Sequence, residues 1–361
     1  MTDPPAGSVI QLFFVVANRG GERVAAQLDR GLTARGWRVS SVGIYRATEP
    51  NEDSRSFTVL APRRPGPIGV VAAWWRLWRL FRRMRPDAVL LHTQIAGLLG
   101  ATAATAARVP RRVIIHHIDV GVRGRAFRPA DALMGWLGFY TSIVFVGRTI
   151  RDDVSSFPRR YQRRVQVIPN AVETPPPVDH AALRRRYGIA ERETALLAVG
   201  ALTEQKNHDV VIRAVAGLTD VVLLVAGDGP RRAELESLAA EVGAPVRVLG
   251  QIPPADVRAL YGAVDLFVLP SRSEGRSLAL LDAVAAGLPV LLSDIGQNRE
   301  VMGDAAAYCP PQDTSCWSRA VHTLCTDLAA REALRDACQA RDIGSPDAMV
   351  DAYVALITAS P

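Results

Sequence analysis

The sequence predicts an α/β protein built from two Rossmann-like, doubly wound domains. Short apolar, β-branched runs alternate with longer amphipathic patterns along nearly the whole chain. Parallel sheets with helical crossovers read that way. The 361 residues suffice for two domains of ordinary size, each with its own core. A proline-rich break, Pro169-Asn170-Ala171-Val172-Glu173-Thr174-Pro175-Pro176-Pro177, divides the alternation into two sets.

In the first set, the strand candidates are residues 9–16, 38–44, 57–60, 88–91, 112–116, 142–146 and 165–168. In the second they are 194–199, 221–226, 246–249, 266–269, 290–293 and 307–309. Helical periodicity covers 21–35, 209–217, 230–242, 254–263, 278–286 and 317–341. Gly344-Ser345-Pro346 breaks the last of these before an amphipathic helix over 347–358. The expected domains are therefore 1–170 and 171–345, with the helix at 346–361 packing back on the first. Ligands of doubly wound sheets sit at the carboxyl ends of the strands. With two such domains the expected site is a cleft between them.

Composition narrows the class. A hydrophobic content of 48% with 22% charged residues is that of a soluble globular protein. The first five residues lack a basic leader, and the run 9–17 is too short to span a bilayer. These features suggest a cytoplasmic protein, peripheral on a membrane at most. Cys309, Cys316, Cys325 and Cys338 match no zinc spacing, and buried thiols in a reducing compartment are expected. The first 170 residues carry 26 Arg against 11 acids; the rest carry 17 basic side chains against 25 acids. A basic half facing an anionic surface, an anionic acceptor or nucleic acid follows. The helical stretch 74–85 joins Trp74, Leu77, Trp78 and Phe81 on one apolar face to an Arg-rich face. That second face is either simply solvated or lies on anionic lipid.

Among 43 basic residues only Lys206 is a lysine. It lies in a polar loop, Gly200-Ala201-Leu202-Thr203-Glu204-Gln205-Lys206-Asn207, after an apolar run. Alone it could be drift in an Arg-biased chain. A narrow cleft that must set a point charge against a phosphate also selects lysine. A second polar loop, residues 270–277, follows another buried strand and leads into a helix. The free N–H groups of such a helix start favour an anion. Glu274 precedes that helix and Asp282 lies within it, so two carboxylates could hold two hydroxyl-bearing parts of one elongated ligand. The plain alternatives are a dipole-complementing Glu274 and an exposed helical Asp282.

These segments resemble the retaining GT-B glycosyltransferases of the large group-1 (GT4-like) family. Glu274 and Asp282, in their Pro-Ser-x-x-Glu-Gly setting, resemble its donor-site acids, although the second is usually Glu. Residues 199–207 resemble its diphosphate loop and 226–230 its glycine turn. Residues 246–250 resemble its nucleobase strand, 167–170 its interdomain signature and 20–23 its first glycine loop. Pro86-Asp87-Ala88-Val89 before His92, and the pair His116-His117, also fit. The ordered set spans residues 10 to about 310. One departure is Ala201, where the family usually has an Arg partner for the lysine; Arg272 or Arg276 could compensate.

The resemblance implies transfer of a hexosyl group, with retention, from a nucleotide-diphospho-sugar to a saccharide or lipid-linked hydroxyl acceptor. The co-substrate is the nucleotide-sugar, and no metal or other cofactor is implied. Lys206 would stabilise the leaving diphosphate, Glu274 would bind the sugar and Asp282 the ribose. His117 would face sugar and acceptor; strand alternation favours it over His116. The implied catalytic residues are His117, Glu274 and Lys206. The implied donor contacts also include Gly20, Gly21, Asn170, Gly250, Gln251, Ile252, Gly275, Arg276, Ser277 and Leu278. His180, His208 and His322 read as surface residues. The competing readings are a nucleotide-sugar epimerase on the same fold and a non-catalytic membrane- or nucleic-acid-binding protein. The absence of nucleic-acid motifs disfavours nucleic acid.

Overall fold

The computed structural model describes residues 6–17, 20–52, 54–117, 127–152 and 154–359. The chain divides into two compact units: Met1–Asn170 with Gly344–Pro361, and Ala171–Ile343.

The first unit holds seven strands: β1 (Gly7–Val16), β2 (Trp37–Arg46), β3 (Thr58–Ala61), β4 (Ala88–Leu91), β5 (Arg111–His116), β6 (Ser142–Phe145) and β7 (Val165–Val167). They pair in parallel in the order β3-β2-β1-β4-β5-β6-β7. The second unit holds β8 (Thr194–Val199), β9 (Val221–Ala226), β10 (Val246–Gly250), β11 (Leu266–Leu269), β12 (Val290–Ser293) and β13 (Ala307–Cys309). Their order is β10-β9-β8-β11-β12-β13, again parallel. Central strands β4, β6, β9, β11 and β12 are buried at every position. Parallel sheets covered on both faces need such unbroken apolar runs. In each sheet the winding reverses once, between β1 and β4 and between β8 and β11. Loops at the carboxyl ends diverge there and leave a crevice.

Four helices of the first unit matter below: α1 (Gly20–Ala34), α2 (Pro67–Met84), α3 (Gln94–Ala106) and α4 (Phe127–Leu137). On α2, Leu77 and Phe81 are fully buried and Trp74 and Trp78 half-buried. The Trp74 indole N–H donates to Thr102 Oγ1 on α3 at 3.0 Å. The opposite face exposes Ile68, Val71, Trp75, Arg76, Arg79, Arg82 and Arg83. Among the described residues no helix is long and apolar enough to cross a membrane.

The C-terminal helix Pro346–Thr358 packs on α1. Val350 sits where a side chain at Gly31 would have to go, and Arg35 pairs with Asp347 and Asp351 at 3.1 and 2.7 Å. The periodic stretch 317–341 resolves into two helices, Thr314–Thr326 and Leu328–Gln339. Asp327 separates them; its side chain accepts from Ala330 N and caps the second. The cysteines depart from the expectation of four thiols. Cys309 at the end of β13 and Cys316, one turn into the next helix, form a disulfide, leaving Cys325 and Cys338 as thiols. Burial pushes those thiols up to about 12 and about 11.

Candidate functional site

In the second unit, the loops after β8 and β11 meet at the reversal point of the sheet. Gly200 begins the first loop, its N–H donating to Ala226 O at 3.0 Å. The glycine turn after β9 locks onto it. Leu202 N donates to Asp228 O, and Gly227 N to Gly250 O at 2.9 Å. Gly227 has φ +152°, and a Cβ there would overlap the Gly200 carbonyl. Only glycine permits both the backbone conformation and the approach.

A short 3₁₀ turn, Glu204–Lys206, ends at Asn207, which has φ 55° and is buried. Asn207 Nδ2 donates to Pro270 O at 3.0 Å and Pro311 O at 2.8 Å. Arg272 Nε donates back to Asn207 Oδ1 at 3.0 Å, Gln205 Nε2 to Ser273 O at 2.9 Å, and Arg272 N to Gln205 O at 2.8 Å. This lacing holds Lys206 Nζ 2.6 Å from Glu274 Oε1. The two side chains are 19% and 8% exposed, so the pair is largely shielded from water. The lysine stem lies along Gly200: a Cβ there would stand 3.1 Å from Lys206 Cε.

Ser277 caps the helix Leu278–Ala285, its side chain accepting from Leu280 N. Asp282 lies within that helix and is buried. Gly275 is buried beside Glu274, and Leu278 is half-buried at the helix start. Arg276 Nη2 donates to Ile343 O at 2.8 Å, and Arg272 Nε donates to Asn207 Oδ1. Both arginines that could replace the partner absent at Ala201 are thus already engaged. Gly250 ends β10 with φ +68°, followed by exposed Gln251 and half-buried Ile252. Asn170 is buried at the end of the first unit's continuous segment.

His208 differs from the expectation of a surface residue. It is 2% exposed, at the start of the helix His208–Val215, and burial next to Lys206 lowers its pKa to about 4. The polar loop before it suggested exposure, but the buried first turn of the helix carries the ring inward. His180 and His322 are exposed as expected.

In the first unit, the ends of β1, β4 and β5 are neighbours. His116, the last residue of β5, turns into the interior. It meets Tyr161 Oη at 3.3 Å and Asp131 Oδ2 at 3.5 Å and stacks on Phe145. Burial lowers its pKa, partly opposed by Asp131. His117 turns the other way, toward the glycines opening α1; a Cβ on Gly21 would lie 3.9 Å from its ring. Gly20 is exposed at the same helix start. His117 Nε2 is 3.1 Å from His92 Nδ1, and His92 Nε2 is 2.9 Å from Gln11 Oε1. Phe13 stacks on His92 with ring centroids 4.4 Å apart. Sequence reasoning did not single out Gln11, Phe13 or Asn207. The signal for Gln11 was its polar side chain inside an apolar strand, which burial obliges to find partners. Among the described residues no three His, Cys, Asp or Glu side chains gather as a metal site.

Two family models match the chain almost end to end: "Glycosyltransferase Family 4" over residues 18–175 and "Glycosyl transferases group 1" over 179–341. An uncharacterised glycosyltransferase of Methanocaldococcus jannaschii is 29% identical over 267 residues, covering 68% of each chain. The 2-deoxystreptamine glucosyltransferase of Streptomyces kanamyceticus is 27% identical over 315 residues, covering 77% of this chain and 81% of that protein. Anabaena HepE, solved with UDP-glucose, superposes with a TM-score of 0.82 over 97% of this chain and 99% of its own. At 18% identity that likeness concerns the fold.

Proposed function

The chain belongs to the group 1 glycosyltransferase family, and on that premise we propose that it moves a hexosyl group from a nucleotide-diphospho-sugar to a hydroxyl acceptor with retention at the anomeric carbon. The observation that carries this reading is the shielded Lys206–Glu274 pair at the reversal point of the second sheet, beside the helix that follows Ser277. Cleaving the donor's anomeric bond leaves a diphosphate anion and an electron-poor sugar. Lys206 and the backbone N–H groups at 276–278 stabilise the anion as charge develops on it. Glu274 accepts hydrogen bonds from sugar hydroxyls, and Asp282 takes the ribose hydroxyls as acids do in other nucleotide sites. The remaining donor contacts in this reading are Gly20, Gly21, Asn170, Gly250, Gln251, Ile252 and Gly275. His117 orients the transferred sugar toward the acceptor. These charges belong to the protein, so the reading calls on no metal ion, and turnover should survive chelation. As a transferase reading it sets aside the epimerase and the non-catalytic alternatives.

The acceptor proposed is a saccharide or lipid-linked saccharide, reached at the inner face of the cell membrane. Support for this lies on α2, where Ile68, Val71 and Trp75 are exposed among Arg76, Arg79, Arg82 and Arg83. The sequence carries no acid between Asp53 and Asp87. Such a face suits an anionic lipid surface.

The test is a thermal-shift screen against UDP-, GDP-, ADP- and TDP-sugars, repeated with Lys206→Ala. Stabilisation by one donor, lost in the variant, is expected, with product anomers read by NMR to establish retention. No stabilisation by any donor, or a product of inverted configuration, would count against the proposal.

A further inference from the structure

A buried chain of hydrogen bonds runs from α1 to His117, and its direction is set at one end. Gln11 Nε2 lies 2.8 Å from the backbone carbonyl of Ala25. A carbonyl only accepts, so the nitrogen end of the Gln11 amide faces Ala25 and its oxygen faces His92. The flipped amide would set two buried carbonyl oxygens against each other. Gln11 Oε1 therefore accepts from His92 Nε2–H, at 2.9 Å. A neutral His92 then has its lone pair on Nδ1, 3.1 Å from His117 Nε2. That nitrogen pair makes a hydrogen bond only if His117 supplies the proton.

We infer that Gln11 and His92 are positioning residues that hold the neutral His117 ring in the tautomer with its proton on Nε2 and its lone pair on Nδ1. Phe13 and the approach of Gly21 keep the two rings in place: Phe13 stacks on His92 at an interplanar angle of 8°. Gln11 is 0% exposed and His92 2%, so water does not compete for these bonds. Burial and the neighbouring His117 hold the His92 pKa well below its usual 6.5, which keeps that ring neutral as the relay requires. The consequence rests on the functional reading above. A His117 so fixed presents one defined order of donor and acceptor around its ring, set by Gln11 and His92 rather than by a ligand.

The tautomer can be read directly. Nitrogen-15 NMR of the full chain, labelled at its six histidines and assigned by comparison with His117→Asn, is recorded with the rings titrated to their neutral forms. The expected result is a His117 protonated on Nε2 in the unsubstituted protein and a mixture of tautomers in Gln11→Leu and His92→Leu. With the donor found by the screen, the two Leu variants should lose ~10- to 100-fold in kcat, as orienting partners typically do, with donor KM little changed. A neutral His117 protonated on Nδ1 overturns the inference, as does an unchanged Nε2–H tautomer in the folded Leu variants. If those variants fail to fold, the unsubstituted protein still decides. Because the tautomer is read without substrate, the result is independent of whether the chain transfers a sugar.

Discussion

Lys206 Nζ lies 2.6 Å from Glu274 Oε1, although 68 residues separate the two in the chain. The parallel pairing of β8 with β11 brings their loops together, and Asn207 ties one loop to the end of the other strand. The only lysine of the chain is thus held ready with a counter-ion before any ligand arrives. An arriving diphosphate would share the ammonium with Glu274, and the sugar would share the carboxylate.

Lys206→Ala should weaken nucleotide-sugar binding by about 2 kcal/mol, the range of one charged hydrogen bond. Lys206→Arg should cost nearly as much, because the stem already rests on Gly200 and leaves little room for a planar fork. Calorimetric titration of both variants checks this; an arginine variant binding as tightly as the parent would contradict it.

Gly227→Ala should lower stability by about 2–4 kcal/mol and weaken donor binding as well. The added Cβ would collide with the Gly200 carbonyl at φ +152°, combining overlap with backbone strain. Urea unfolding and donor titration read the two effects. Because the collision displaces the loop carrying Lys206, a stability loss with unchanged affinity would show that the loops move independently.

Acid should destabilise the fold early. His92, His116 and His208 all have folded-state pKa values below the usual 6.5, that of His208 at about 4, mainly through burial. The unfolded chain therefore takes up protons first. Stability is complete above about pH 6.5 and falls as the pH drops toward 4, by on the order of 3 kcal/mol for His208. Denaturant melts across that window should show the decline, and His208→Leu should flatten it. An unchanged slope in that variant would remove His208 from the account.

On vesicles containing anionic lipid, the chain should co-sediment through α2. Trp75→Ala should reduce binding by about 1–2 kcal/mol through lost apolar contact. Each exposed arginine changed to Gln should remove about 1 kcal/mol near the surface. Raising salt should weaken the interaction. Equal binding to neutral vesicles at all salt concentrations would argue against the Arg-rich face as the contact.

Much of the molecule was legible along the chain. The break at Pro169–Pro177, the apolar runs of the strands and the two glycine-rich turns are local signals. Lys206, Glu274 and His117 could be marked because each lies in the stretch after a strand's carboxyl end, where doubly wound sheets expose their loops. The Cys309–Cys316 disulfide escaped because local spacing does not report which sulfurs the end of β13 and the next helix bring together. His208 escaped because a polar neighbourhood does not reveal which side of a helix start faces the core.

The sequence by itself determined the alternation of elements, hence parallel sheets and their loop-bearing edges, because hydrophobic periodicity is a local consequence of strand and helix geometry. Only the tertiary structure decided which loops meet. The order β10-β9-β8-β11-β12-β13 places Lys206 against Glu274, and the order around β1, β4 and β5 lines up Gln11, His92 and His117. Strand order is a long-range outcome of packing, and side-chain partners across adjacent strands exist only once that order is formed.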